Sequence, residues 1–167
     1  MNQENMLAPR DLHTARYYWE DLEPGFSFET ASRTVTEADV VSFAALSADY
    51  NRVHVDAEYA ASTPWGARIA HGMLVASIVS GLNTRTVVNQ LLEPSLIGML
   101  ETRIRFPKPT LIGDTIKARI EISDRRETSN PARGIVDFRR VAVNQRGETV
   151  CECDVRMMVL RRAQNDS

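Results

Sequence analysis

At 167 residues, the chain is long enough to form one domain with a substantial hydrophobic core. Hydrophobic residues make up 43% of the sequence and charged residues 25%, an ordinary composition for a soluble protein. The formal net charge of −2 gives no electrostatic reason to expect a nucleic acid or a membrane as a partner. The N-terminus lacks the pattern of a signal peptide, and no apolar stretch is long enough to span a bilayer.

The only two cysteines, Cys151 and Cys153, alternate with Glu152 in a segment typical of a β-strand. Side chains two positions apart lie on the same face of a strand, so an inward-facing apolar role is favoured over redox chemistry or metal binding. The sequence indicates no stabilising disulfide framework. Its cysteine usage therefore fits a cytoplasmic protein.

The predicted elements begin with a polar arm over residues 1–20, whose aromatic cluster at 17–19 is expected to pack on the body of the protein. A single domain is predicted over 21–162, with a polar tail at 163–167. Residues 26–35 suit an extended strand. Thr36 and Asp39 then form a near capping box, and apolar residues at helical spacing predict a short helix ending at about Ser47.

Residues 47–54 form a predicted polar loop, and a small helix follows at about 57–62. The segment from Gly72 to about Val88 is apolar on most sides, which predicts a buried helix. Beyond Pro94 the apolar period changes to two and indicates strands at about 97–106, 115–122, 134–143 and 151–159. The pattern predicts an α+β domain in which an antiparallel sheet of about five strands wraps around one long helix.

This sheet can cover only one face of the helix in each subunit. We therefore expect a homodimer or a higher homo-oligomer.

Asp49 and His54 are the strongest catalytic candidates, because a carboxylate and an imidazole in one polar loop can hold a water molecule and move its proton. Each also has a local explanation, since Asp is common after a helix end and a single His is more often structural. Asn51 lies between them and either braces the loop or simply favours a turn.

Gly72 is the candidate for binding a carbonyl oxygen. A glycine at a helix start lets a carbonyl approach the backbone N–H, with the positive end of the helix dipole behind it. His71 is interpreted as part of the loop's hydrogen bonding, with ligand contact as the weaker alternative. Ser80 follows on the helix, where a small hydroxyl is structural by default. No metal site is predicted, because the His and Cys residues have no spacing typical of a ligand set.

These residues resemble the MaoC-like dehydratase family, which includes the (R)-specific enoyl-CoA hydratases. The hydratase signature of that family contains an Asp, an Asn and a His, and Asp49, Asn51 and His54 keep these places. Residues 69–74 and 106–114 are similar to two further family motifs. The resemblance covers roughly residues 20–160.

The resemblance implies a hotdog fold, in which the long helix is enclosed by the sheet. It also implies that Asp49 and His54 activate water, that the N–H of Gly72 binds a thioester carbonyl, and that Ser80 supports the histidine. Water would add to C3 of a trans-2-enoyl thioester, and a proton would go to C2. The acyl-CoA is then the substrate, with coenzyme A part of it and no separate cofactor; a carrier-protein thioester remains an alternative.

Two positions depart from the signature. Ala48 replaces a glycine, which is harmless if the backbone there needs no positive φ. Arg52 replaces a proline and would place a cation beside the pocket. One hypothesis is a polar or dicarboxylic acyl group, of the mesaconyl or methylmalyl type, paired with Arg52; an ordinary solvated arginine is the alternative.

Two competing functions remain. A hotdog thioesterase commonly carries an Asp or Glu on its central helix, and the sequence from Gly72 to Leu92 contains none. A non-catalytic acyl-thioester binding subunit fits the two departures from the signature. The retained Asp49 and His54 favour the hydratase over both.

Overall fold

A computed structural model describes residues 15–163 of the chain. Its antiparallel sheet has six strands, which are β1 (Ser27–Glu29), β2 (Arg33–Thr34), β3 (Leu96–Arg105), β4 (Thr115–Glu127), β5 (Arg133–Val143) and β6 (Thr149–Leu160). The helices are α1 (Glu37–Ser47), α2 (Arg52–Val55), α3 (Ala57–Ala61), α4 (Gly72–Thr84) and α5 (Val87–Leu92). The strands lie in the order β1-β4-β5-β6-β3, and β2 also pairs with β4.

Helix α4 lies against the sheet and forms the centre of the core. Its buried face includes Val75, Val79 and Leu82, which belong to one apolar cluster with inward-facing residues of β4 and β6. The opposite side of the helix remains exposed at Met73, Ser77 and Ser80. The predicted α+β architecture, a helix enclosed on one side by an antiparallel sheet, is therefore confirmed.

The strand predicted over 26–35 is interrupted. The N–H of Ala118 donates to the side-chain hydroxyl of Thr30 at 3.0 Å, and the backbone leaves the ladder between β1 and β2. A hydroxyl that replaces a backbone acceptor is a tertiary feature, and strand periodicity does not show it.

The single helix predicted to run to about Val88 was also wrong in its length. It ends at Thr84, and α5 begins separately at Val87. Thr86 explains the break, because its hydroxyl donates to the carbonyl of Asn83 and accepts from the N–H of Asn89. This side chain caps a new helix start.

Trp19 belongs to a second apolar cluster at the end of the sheet, with Leu22, Ile120 and Val136. Its indole N–H donates to the carbonyl of Ile135 at 3.0 Å. The aromatic cluster expected in the arm therefore packs through Trp19, while residues 1–14 lie outside the described part of the chain.

Both cysteines are buried and free, and burial raises the pKa of the Cys151 thiol to about 12. A thiol that stays protonated behaves as a small apolar side chain, in agreement with the inward-facing role expected from the sequence. Within residues 15–163, no helix is long and apolar enough to cross a membrane.

Asp114 connects the loop before β4 to the turn between β5 and β6. Its carboxylate accepts hydrogen bonds from two guanidinium nitrogens of Arg146, at 2.8 and 3.1 Å, and from the N–H of Leu111 at 3.0 Å. Burial alone would raise the pKa of Asp114, but these hydrogen bonds and one from Gln145 outweigh it, so the pKa lies below its usual value. The ionised carboxylate therefore stabilises the fold.

We predict that Asp114→Asn lowers the free energy of unfolding by about 2 kcal/mol near neutral pH, because charge-assisted hydrogen bonds are lost. The folded-state pKa is depressed, so this contribution is complete above the unfolded-state pKa of about 4 and is lost as the pH falls further. Urea unfolding at several pH values should show the difference between the two proteins shrinking in acid. The control is Asp124→Asn, which changes an exposed carboxylate on β4 and should alter stability by less than about 0.5 kcal/mol.

Candidate active site

Asp49, His54 and His71 meet at the start of α4. Asp49 follows the end of α1, His54 lies on α2, and His71 directly precedes Gly72. One ligand-capable atom of each residue lies within 4.8 Å of those of the other two. The predicted pair of Asp49 and His54 is thus brought together, and His71 joins it from a distant part of the sequence.

His54 is held in the tautomer that a general base requires. Its Nδ1 lies 2.8 Å from the carbonyl oxygen of Ile69. A carbonyl only accepts hydrogen bonds, so Nδ1 carries the proton and Nε2 keeps its lone pair. The half-buried ring can therefore take a proton from water at Nε2.

His71 positions the other two residues. Its Nε2 lies 2.9 Å from the carbonyl oxygen of Asp49 and, by the same argument, donates to it. Its ring stacks on that of His54, with the two centroids 3.8 Å apart. Because only 2% of its surface is exposed, His71 offers little surface to a ligand and instead provides the loop hydrogen bonding expected from the sequence.

Asp49 is exposed and has one carboxylate oxygen available. Its Oδ1 accepts from the N–H of Asn51 at 3.2 Å, and no described group donates to Oδ2. Asn51 accepts from the N–H of Val53 at 3.4 Å and caps α2. The side chain of Asn51 therefore braces the backbone locally by capping α2. This cap makes part of the predicted loop a short helix.

Ala48 adopts a left-handed conformation, with φ of 59°, where α1 ends. Among the described residues, it is the only non-glycine with a positive φ. Ala48 would be harmless only if the backbone needed no positive φ at this position, and the structure shows a positive φ. The backbone reverses here to direct Asp49 toward His54, and the Cβ of Ala48 makes that reversal unfavourable.

Gly72 is the first residue of α4, and its N–H has no acceptor inside the helix. It lines a cleft of about 240 Å³ that also contains Trp65 and Phe106. A Cβ at this position would lie 2.8 Å from the ring of Phe106. With the Phe106 ring in this position, only glycine fits here, and the sequence pattern does not show that requirement.

Ser80 and Arg52 lie away from the cluster. Ser80 is exposed on α4, about 12 Å along the helix from Gly72, and its hydroxyl makes no hydrogen bond to His54. The side chain of Arg52 is 65% exposed, pairs with Asp56 at 2.9 Å, and stacks over Tyr59. Its charge is therefore already compensated on the outside of α2, as in the solvated alternative.

Ligand-capable atoms of Asp49, His54 and His71 come within 4.8 Å of one another, a spacing that a cation site would need, but His71 is buried and its Nε2 donates to the carbonyl of Asp49. Sequence spacing did not anticipate this cluster, because the residues come together only through the fold. The hydrogen-bonding pattern suits water, since Asp49 Oδ2 and His54 Nε2 are both available acceptors.

Arg140 is a buried charged residue that is not among the site residues predicted from the sequence. It occupies an inward-facing position of β5, between Phe138 and Ala142, and is only 4% exposed. Strand alternation indicates that Arg140 faces inward, because it lies on the same face of β5 as Val136, Phe138 and Ala142.

The family model described as "MaoC like domain" matches residues 21–143. The chain belongs to this family. It is 35% identical to the (R)-specific enoyl-CoA hydratase of Rhodospirillum rubrum over 147 residues, which cover 87% of this chain and 94% of that protein. It is 36% identical over 108 residues to the 3-hydroxybutyryl-CoA dehydratase of Methylorubrum extorquens, covering 64% of each chain. The match to Protein MaoC of Klebsiella aerogenes is 38% identical over 109 residues, 65% of this chain but only 31% of that protein.

Solved structures agree with this membership. The MaoC-like dehydratase of Rhodospirillum rubrum superimposes with a TM-score of 0.79 at 29% identity, covering 89% of this chain and 99% of that one. A Mycobacterium tuberculosis protein described as having a double hotdog fold superimposes with a TM-score of 0.75 at 20% identity, over 91% of this chain and 47% of that one. The predicted hotdog fold is thereby confirmed.

We predict that Ala48→Gly raises the free energy of unfolding by about 1 kcal/mol, because glycine adopts the left-handed conformation without a Cβ clash. The matched control is Ala45→Gly, an exposed position within α1, where the same change should lower stability by about 1 kcal/mol. Urea unfolding of the three proteins measures both effects. Destabilisation by both changes would show that the φ of Ala48 carries no penalty.

Proposed function

We propose that this protein is a hydro-lyase that reversibly adds water to a trans-2-enoyl-CoA and forms an (R)-3-hydroxyacyl-CoA. The observation that carries the proposal is the hydrogen bond from His54 Nδ1 to Ile69, which leaves His54 Nε2 available, while a ring nitrogen of His54 lies within 4.8 Å of an Asp49 carboxylate oxygen. The relatives named as hydratases and dehydratases support this assignment. Coenzyme A enters as part of the substrate.

In the hydration direction, a water molecule lies between Asp49 Oδ2 and His54 Nε2. As its oxygen bonds to C3, the pair removes one of its protons, and the electrons of the double bond move toward the thioester carbonyl. The N–H of Gly72 and the positive end of α4 stabilise the developing enolate oxygen. The pair then returns a proton to C2, so water supplies both the hydroxyl group and the hydrogen of the product.

The structure also bears on the competing thioesterase reaction. Helix α4 carries no carboxylate anywhere along its length, from Gly72 to Thr84. A thioesterase that uses an acidic residue on this helix as base or nucleophile is therefore disfavoured. We also propose a cytoplasmic location, on the basis of the two free buried cysteines.

We predict that Asp49→Asn and His54→Ala each lower kcat/KM for crotonyl-CoA hydration by about 100- to 10,000-fold, because each removes one member of the proton-transfer pair. Loss of the enoyl-thioester absorbance measures the rate, and an (R)-specific dehydrogenase identifies the product. The control, Asp154→Asn, makes the same chemical change at a side chain on β6 that is 44% exposed, and it should leave the rate unchanged.

Because no step is assigned to a metal ion, activity should also survive dialysis against EDTA. Unchanged hydration in both site variants would reject the assignment, and a wild-type protein that binds but does not hydrate enoyl-CoA would identify a binding subunit.

We further propose that two copies associate through β3 and the uncovered side of α4. Among the described strands, β3 pairs only with β6, so its other edge is free. Ile97, Met99 and Leu100 are exposed on this strand, and Met73 is exposed on the helix. An open edge next to an apolar surface is a typical protein interface.

We predict that Leu100→Glu converts the dimer into a species of about 18.8 kDa, because it places a carboxylate in the interface. Light scattering after size-exclusion chromatography measures the mass. Leu46→Glu is the matched control, since Leu46 is exposed on α1, which does not belong to the proposed surface. A monomeric wild-type protein, or equal masses for both variants and the wild type, would contradict the proposed interface.

A further inference from the structure

Arg140 is a buried cation that forms no ion pair with a carboxylate among residues 15–163. Its Nε also has no hydrogen-bond partner within these residues. Its Nε is fully buried. Burial lowers the pKa of Arg140 from its usual value, but an arginine remains charged at neutral pH.

An unpaired charge in a core is unfavourable, and a structural role would be served better by an apolar residue. The inward-facing neighbours of Arg140 on β5 are indeed apolar, at Val136, Phe138 and Ala142. A ligand with a negatively charged group at this position would pair with Arg140 and compensate its positive charge.

Such a site exists beside Arg140. A groove of about 170 Å³ lies between α4 and the sheet, and Arg140 is the only charged residue among the described residues that line it. Met73 and Ser80 line its helix side, and Met99 and Ile104 line its sheet side. Because Met73 and Met99 also belong to the proposed dimer surface, the groove opens onto that surface. Met73 directly follows Gly72 on α4, and Gly72 itself lines the separate cleft beside Phe106.

The length of the groove can be read along the helix and along the strand. From Met73 to Ser80, helix α4 rises about 10 Å. On the sheet, Arg140 pairs with Cys153, and Cys153 pairs with Ile104. Ile104 lies two residues before Phe106, whose ring contacts Gly72, and these two residues correspond to about 7 Å along the strand. Two strand spacings of about 5 Å each separate Ile104 from Arg140, so the strand path places Arg140 on the order of 10 Å from Phe106.

We infer that this groove holds the acyl chain and that Arg140 binds a carboxylate at its far end. The substrate class is then a medium-chain 2-enoyl thioester with a terminal carboxylate. This inference rests on the proposed function and moves the carboxylate-binding role from Arg52, which pairs with Asp56, to Arg140. A carboxylate on a carbon of the double bond, as in a mesaconyl group, lies too close to the thioester to reach it.

The test compares enoyl-CoAs of equal length that end in a methyl group or in a carboxylate, across short and medium chains. The wild-type protein should favour the carboxylate in kcat/KM once the chain is long enough to reach Arg140. Arg140→Met should reduce that preference by about 100-fold or more, because the carboxylate loses its partner. It should also raise turnover of the neutral chain, because that chain no longer packs against an unpaired charge. Arg140→Lys should keep part of the preference, since it retains the charge but not the planar fork.

The matched control is Arg139→Met, the next residue on β5, which is exposed on the opposite face and should leave the preference unchanged. A wild-type protein that shows no preference for the carboxylate at any length overturns the inference. An Arg140→Met protein that keeps the preference for the carboxylate also overturns the inference. If the oligomeric state of that protein changes as well, Arg140 serves the dimer interface and not the substrate.

A binding measurement separates this inference from the proposed reaction. Calorimetry with Asp49→Asn protein and saturated acyl-CoAs, with and without a terminal carboxylate, reports on Arg140 without turnover. Tighter binding of the carboxylated ligand that disappears with Arg140→Met supports the site even if no enoyl-CoA is hydrated. Hydration of neutral enoyl-CoAs together with equal binding of both ligands rejects the carboxylate site alone.

Discussion

The burial of α4 against the sheet is the constraint on which the rest of the molecule depends. The helix contributes Val75, Val79 and Leu82 to the core, and this packing fixes both its axis and its rotation. Its first residue, Gly72, is thereby held where the ring of Phe106 contacts the backbone. Every group of the candidate site is positioned relative to this helix start.

The proton-transfer pair depends on the same packing through His71. This residue directly precedes α4, is almost completely buried, and contacts Asp49 by a hydrogen bond and His54 by stacking. The segment from Ala48 to His54 would otherwise be an exposed loop and a short helix with few contacts of their own. Buried His71 thus transmits the rigidity of the core to two residues that must remain accessible to water and substrate.

The two arginines illustrate how the fold distributes charge. Arg52 lies next to the catalytic residues in sequence, but its guanidinium turns outward to Asp56 and Tyr59. Arg140 is distant from them in sequence, but it lines the groove between α4 and the sheet. Proximity along the chain therefore suggested the wrong direction for the cation, since a short helix displays neighbouring side chains on different sides.

The sequence by itself determined the elements whose formation depends on local patterns. Alternation in the second half of the chain predicted the strands, the capping box of Thr36 and Asp39 predicted the start of α1, and the spacing of Asp49, Asn51 and His54 indicated the candidate site. Only the tertiary structure decided the tautomer of His54, the positive φ of Ala48, the requirement for glycine beside Phe106 and the lack of a hydrogen-bond partner for the Nε of Arg140 among the described residues. Each of these depends on contacts between residues that are far apart in the chain or on a backbone angle that local propensity does not specify. A periodic pattern reports which face of an element is buried, but it does not report which atoms meet there.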